Sequence, residues 1–398
     1  MTTRKIGSFE FIVLVALLNA LVAMSIDTML PAIGDIANEL KAANPNDRQL
    51  IITLFFGGMM FGTLLWGPLS DATGRRPAIF MSLAFYALGT LICFFAWSFP
   101  MIIVGRFVQG FGAAGPRIVS IAMVRDGQSG AAMARVMSFV MSVFMLVPIL
   151  APSIGQLVLL VADWRVIFLG FLVIGALSMG WFHVRQEETL PPQRRNPLRA
   201  STMMEAAWQF LRHPVAMGYT IAVGFIFAAF INYLGTSQQI FAEQYAQGEL
   251  FAVWFGVFAV AIAFAMILNG RLVVKLGMRK LSKYALRGEI ALALAFLIPA
   301  AIYAGHPPLW MLGVYLFGTF FCCGILFGNY NALAMEPMGR IAGMAAAMSG
   351  FLSTLVAIAF GGTLGQYYDG TVLPLVLGYG GLGILALVFS EWAERRRT

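Results

Sequence analysis

Apolar residues in this chain come in long unbroken runs. They follow neither the one-face spacing of a surface helix nor the alternation of a half-buried strand. Twelve such runs lie near residues 9–33, 47–69, 78–98, 100–122, 134–160, 165–184, 214–237, 250–272, 283–304, 308–333, 341–365 and 371–391. Each is long enough for an α-helix to cross a bilayer, which takes about 20 residues. The polar connections are short except for one, rich in proline and charge, from His183 to His213. The pattern predicts an all-α membrane protein of twelve transmembrane helices. It divides them into a six-helix bundle over 1–185, a cytoplasmic linker over 186–213 and a second six-helix bundle over 214–398, around a central cavity. The first run is read as a retained span, because it is too long for a signal peptide and no small-residue cleavage site precedes a polar mature domain.

Composition narrows the choice. The chain is 60% hydrophobic and 11% charged, against about half and about a quarter in soluble domains. That excludes a soluble enzyme, and the 13% aromatic content excludes disorder. Cys93, Cys322 and Cys323 make no disulfide framework, and with three His and no CxxC or HExxH spacing no metal or cofactor is expected. No nucleophile–base constellation or Walker A loop is present, so the expectation is a protein that is not an enzyme and hydrolyses no nucleotide.

The net charge of +8 is distributed by topology. Of 26 Lys and Arg, 21 fall at alternate connections, and only Lys41, Arg48 and Arg165 fall at the others. The positive-inside rule then puts both termini in the cytoplasm. The charge reads as affinity for anionic membrane lipid, with no nucleic-acid partner.

The halves resemble each other. Gly67-Pro68-Leu69-Ser70-Asp71-Ala72-Thr73-Gly74-Arg75-Arg76 ends the second run, and Gly270-Arg271-Leu272-Val273-Val274-Lys275-Leu276-Gly277-Met278-Arg279-Lys280 ends the eighth. Both glycine pairs stand at one offset, the mark of a carrier built from repeats.

Ionisable groups inside spans are costly and hence informative. Those read here are Asp27 in the first span and Arg106 and Arg117 in the fourth. Counted from Ile33 and Pro100, Asp27 and Arg106 share a depth of ~9 Å from the outer boundary. They are read as a proton-coupling pair in a water-filled cavity, with a static ion pair as the alternative. Gln109 lies on the Arg106 face, and Gly110, Gly112 and Gly115 keep that helix narrow. Arg117 either continues the polar track or snorkels to the surface. In the fifth span Pro148 and Pro152 remove backbone bonds, with Gly155 just beyond. They serve either packing alone or a gate. Asn19, Met24, Met145, Asn232, Tyr233, Asn329 and Tyr330 are candidate wall residues of an oily cavity, suited to lipophilic cargo as a set.

These motifs, in this order, resemble those of the major facilitator superfamily. Gly67 to Arg76 is similar to its signature between spans two and three, Arg106 to Gly112 to the fourth-span motif of proton-driven exporters, and Ala151 to Gly155 to the antiporter motif of span five. The segments Asp27 to Ala32, Val124 to Asp126, Asp163 to Phe168 and Asn329 to Pro337 resemble the Bcr/CflA group of bacterial drug–proton antiporters. The resemblance implies that Asp27 is the proton- and drug-responsive acid and Arg106 its responsive arginine. Asn19 stands where some relatives carry a second acid. It also implies that Gly67, Asp71, Gly74, Arg75, Arg76 and Asp126 form a cytoplasmic gate near the start of span eleven. The expected activity is proton-coupled efflux of lipophilic drugs or related small molecules by a monomer in the bacterial inner membrane. The alternative is a proton-coupled symporter importing a small nutrient.

Overall fold

The computed structural model describes residues 8–128, 130–195 and 198–397, and every regular element among them is helical. Twelve helical stretches are long and apolar enough to cross a membrane. The all-α, twelve-span fold predicted from the runs is thus the one observed. The chain divides into two compact units, Met1–Ala42 with Leu54–Ala200, and Ala43–Thr53 with Ser201–Thr398.

The first unit holds α1 (Ser8–Asp27), α2 (Ile33–Glu39), most of α3 (Leu50–Thr73), α4 (Arg75–Phe94), α5 (Phe99–Gly127), α6 (Gly130–Val161) and α7 (Arg165–Arg185). The first apolar run is not one helix. Pro31 has no N–H to give the carbonyl of Asp27, so α1 stops there, and a 3₁₀ turn over Leu30–Ala32 joins it to α2. Helices α3, α4 and α5 meet backbone to backbone. A Cβ on Gly110 would stand 1.9 Å from the Phe55 carbonyl oxygen, and one on Gly112 would stand 2.2 Å from the Tyr86 nitrogen. Trp66, Tyr86, Phe168 and Phe171 fill the remaining core.

The second unit holds α8 (Ala200–Arg212), α9 (Pro214–Gln238), α10 (Phe251–Leu276), α11 (Met278–Ile302), α12 (Leu309–Met335), α13 (Ala342–Ala357), α14 (Thr363–Gln366) and α15 (Leu373–Arg395). Helix α9 is central and packs on α12, α13 and α15. An aromatic cluster of Tyr233, Phe255, Phe258 and Phe320 ties α9 to α10 and α12. Single π-helical turns end α9 and follow α13. The short α8 buries Phe210 and exposes Met204, Trp208 and Leu211.

Several helix ends lie beyond the apolar runs. Helix α11 begins at Met278 and α5 continues to Gly127, each about one turn past the run predicted for it. Apolar runs stop at the first charge, whereas backbone hydrogen bonding carries on through Arg279 and Lys280 or Arg125 and Asp126, whose side chains reach water. The segment Ala43–Thr53 also goes with the second unit rather than with the rest of 1–185. Its 3₁₀ turn over Pro45–Gln49 is bonded there, with Gln49 donating to Gln239 at 2.9 Å and Asn46 donating to the carbonyls of Gln366 and Tyr368 at 3.0 and 2.8 Å.

Candidate functional site

Asp27 is the last residue of α1 and is 6% exposed. Its carboxyl stands at the negative end of the helix dipole. It has neither a hydrogen bond nor an ion pair among the described residues. The following residue, Thr28, meets the span-five motif directly, because a Cβ on Gly155 would lie 1.9 Å from the Thr28 carbonyl oxygen. Only a glycine lets α6 approach the broken end of α1 so closely. Pro148 and Pro152 lie within the same helix, which runs unbroken over Gly130–Val161.

Arg106 is fully buried on α5. Its guanidinium donates to Gln109 Oε1 at 2.5 Å and lies over the Phe55 ring, 4.3 Å from the centroid. Gln109 donates onward to Thr90 Oγ1 at 2.9 Å. Close by on α4, the Tyr86 hydroxyl shares a 2.6 Å hydrogen bond with Ser25 of α1. The polar track expected around Arg106 is present, but no ion pair joins it to Asp27. Asp27 lies twelve residues before Glu39, where the first long helical stretch ends, and Arg106 lies seven residues after the Phe99 start of α5. Arg117, farther along α5, is exposed.

Of the predicted gate residues, Asp71, Gly74, Arg75, Arg76 and Asp126 lie together at the α3–α4 turn. Gly74 has φ +108°, a conformation that side chains resist. Arg75 is buried, donates to Asp71 at 2.5 Å and Ser70 at 2.8 Å, and reaches Asp126 at the end of α5 at 2.8 Å. Sequence reasoning missed a further member. The Glu188 carboxylate accepts from the N–H groups of Arg75 and Arg76 at 2.9 and 3.1 Å, filling the anion position at the start of α4. Arg76 itself donates to the His183 carbonyl at 2.9 Å. A proline-rich connection gives no hint of such a role. Gly67, one turn earlier, has only Ile118 near it, 3.7 Å from an added Cβ.

Of the proposed wall residues, Asn19, Met24 and Met145 belong to the first unit and Asn232, Tyr233, Asn329 and Tyr330 to the second. Asn19 is buried and donates to the Val15 carbonyl at 2.8 Å and to Ser120 at 3.0 Å, tying α1 to α5. Met24 and Met145 are half-buried. Asn232 and Tyr233 lie near the end of α9, Tyr233 within the aromatic cluster. The amide of Asn232 is buried without a hydrogen bond. Asn329 makes a reciprocal amide pair with Asn269 at 3.0 and 2.9 Å, joining α12 to α10. Tyr330 packs edge-on to Tyr219 and lines a cleft of about 490 Å³ with Arg279, Lys283 and Ser390. A second cleft, of about 530 Å³, is lined by Asn46, Gln239, Glu243, Gln366 and Tyr368.

The inventory of ionisable groups inside the spans also needs correction. Glu289, on α11, is 1% exposed. It lies inside the run 283–304, but Lys283 and Arg287 precede it closely and count with the basic residues of the preceding connection, so it reads as part of the charged edge of that run, while α11 already starts at Met278. The available signal was an acid opening the apolar run Ile290 to Ile298.

Comparison with known proteins accords with the fold. The model of the Major Facilitator Superfamily matches residues 14–362. An uncharacterized MFS-type transporter, YdgK of Bacillus subtilis, is 30% identical over 346 residues, covering 86% of this chain and 85% of its own. A bicyclomycin resistance protein homolog of Haemophilus influenzae is 28% identical, covering 96% and 95%. The multidrug transporter MdfA of Yersinia pestis is 26% identical, covering 77% and 74%. Among solved structures, a peptide transporter POT superposes with a TM-score of 0.78 at 14% identity over 99% of this chain and 97% of its own. The human organic anion transporter MFSD10 gives 0.71 at 16% identity over 97% and 99%. Twelve spans, a glycine-turn signature and a family match over most of its length together establish that the chain belongs to the Major Facilitator Superfamily.

Proposed function

We propose that the chain is a proton-coupled exporter of lipophilic drugs or related small molecules, working by alternating access in the bacterial inner membrane, with both termini cytoplasmic and the monomer as working unit. The carrying observation is the buried carboxyl of Asp27, without an ion pair among the described residues, at a broken helix end against which Gly155 brings α6. A carboxylate so placed is costly when charged, so its charge is best tolerated when water or a cationic cargo reaches it. The relatives named for bicyclomycin and multidrug resistance support export and a lipophilic cargo.

In this mechanism a proton from outside neutralises Asp27. The change is felt along α1, through Ser25 and Tyr86, toward the Arg106–Gln109–Thr90 track. Met24 and Met145 supply soft apolar wall. The cluster of Asp71, Arg75 and Asp126, with Gly67, Gly74 and Arg76, acts as the cytoplasmic gate, and Pro148 and Pro152 give α6 its flexible point. No cofactor takes part.

The test uses purified protein in vesicles with an acidic interior and ethidium, a lipophilic cation, outside. Wild type is expected to accumulate the dye as protons leave, and Asp27→Asn to lose that accumulation. Accumulation by Asp27→Asn at the wild-type rate would remove Asp27 from coupling. Dye leaving preloaded vesicles together with protons would establish the importing alternative.

A further inference from the structure

We propose that Glu289 is a second proton-binding site of the carrier, within the second unit and separate from Asp27. Glu289 is the twelfth of the 25 residues of α11, about 17 Å from its start and about 20 Å from its end. It is 1% exposed, and neither carboxylate oxygen has a hydrogen bond among the described residues. A carboxylate in this setting would lack both a counter-charge and a donor, so the neutral acid is the form that fits.

The surroundings on α12 and α15 bear this out. Helix α11 packs on α12, α15 and, more lightly, α10. The titratable groups within electrostatic reach of Glu289 are Tyr315, Cys322, Cys323 and Tyr330 on α12 and Tyr379 on α15. None of these is a cation, so the site is not half of an ion pair. The hydroxyls of Tyr315 and Tyr379 are themselves buried without a hydrogen bond. So is Ser282, seven residues before Glu289 and thus on the same helix face. A cluster of unsatisfied hydroxyls around an unsatisfied carboxyl is what a site visited by water and protons leaves behind. The route in is the cleft at the Met278 end of α11, whose wall includes Tyr330.

The step is a plain proton transfer. When the cleft deepens, the Glu289 O–H bond breaks, its proton passes to cleft water and the carboxylate remains. When the cleft closes and the opposite side opens, a proton from water on that side re-forms the O–H bond, so one proton crosses per cycle. The proposal rests on the proton-coupled reading for its role in the cycle, but protonation itself is readable without transport.

Infrared spectra of the protein in nanodiscs, at neutral pH and in sodium-free buffer, should show a protonated-carboxyl C=O band that Glu289→Gln loses and Asp27→Asn keeps. Glu289→Asp should keep the band at a shifted frequency. This second variant decides the matter if Glu289→Gln does not fold. In the ethidium vesicles, Glu289→Gln should move fewer protons per dye than wild type. A full, unshifted band in both Glu289 variants would overturn the proposal, even with export intact. So would a wild-type band abolished by sodium at constant pH, which would make the site a sodium site. So would unchanged proton movement per dye in Glu289→Gln, which would make it a static acid. A wild-type protein that moves no dye would overturn the export reading and leave the band to decide Glu289.

Discussion

In the first unit, the turn after α3 has Gly74 at φ +108° and Arg75 spanning Asp71 and Asp126; in the second, the turn after α10 has Gly277 at φ +76° and Arg279 spanning Glu336 and Glu394. The glycines stand at matching places, whereas the arginine has moved by one residue, since Arg279 corresponds in offset to Arg76. Backbone geometry, which only glycine satisfies cheaply, has kept its place. The charge that ties the turn to the neighbouring helix has been free to shift. The spans diverge further. The first unit carries a buried acid and a buried, hydrogen-bonded arginine, whereas the second carries the acid Glu289 among hydroxyls and thiols. Repetition therefore constrains the scaffold more tightly than the placement of charge.

Four substitutions sharpen or break this contrast. The largest effect is expected from Asp27→Asn, which should abolish proton-driven dye accumulation while leaving the thermal unfolding temperature near wild type. A cold-labile, unfolded variant would instead make Asp27 structural. Next is Arg75→Ala. Its guanidinium is buried, but the carboxylates it would leave, Asp71 and Asp126, are 48% and 18% exposed and can be hydrated, so the loss is about 1.5–3 kcal/mol, measurable as a fall in unfolding temperature. Asn269→Ala leaves the Asn329 amide without its partner and should cost about 1–3 kcal/mol, by the same thermal assay. Arg279→Ala is expected to be mildest, at about 0–1 kcal/mol, because its partners are partly exposed and screened. Equal losses from Arg75→Ala and Arg279→Ala would erase the asymmetry between the turns.

Span number, helical class and superfamily were legible because a bilayer demands long apolar runs and the turn motif demands its glycines. Less legible were features set by single bonds. The break at Asp27 comes from one proline four residues on, within a run that reads as continuous. Asn19 and Asn329 look like cavity polars in one dimension, yet their amides are spent on Ser120 and Asn269, residues far away in sequence. Glu289 was hidden by its cationic neighbours in the chain, although those face elsewhere, with Lys283 and Arg287 both on Glu391.

The grip of Glu188 on the first N–H groups of α4 has a practical side. A proline-rich, charged connection between the halves of a carrier reads as a slack place for a graft. Here its opening residues anchor the start of another helix, so a graft at Glu188 would disturb the Gly74 turn, whereas one at the exposed end near Arg397 would leave it untouched.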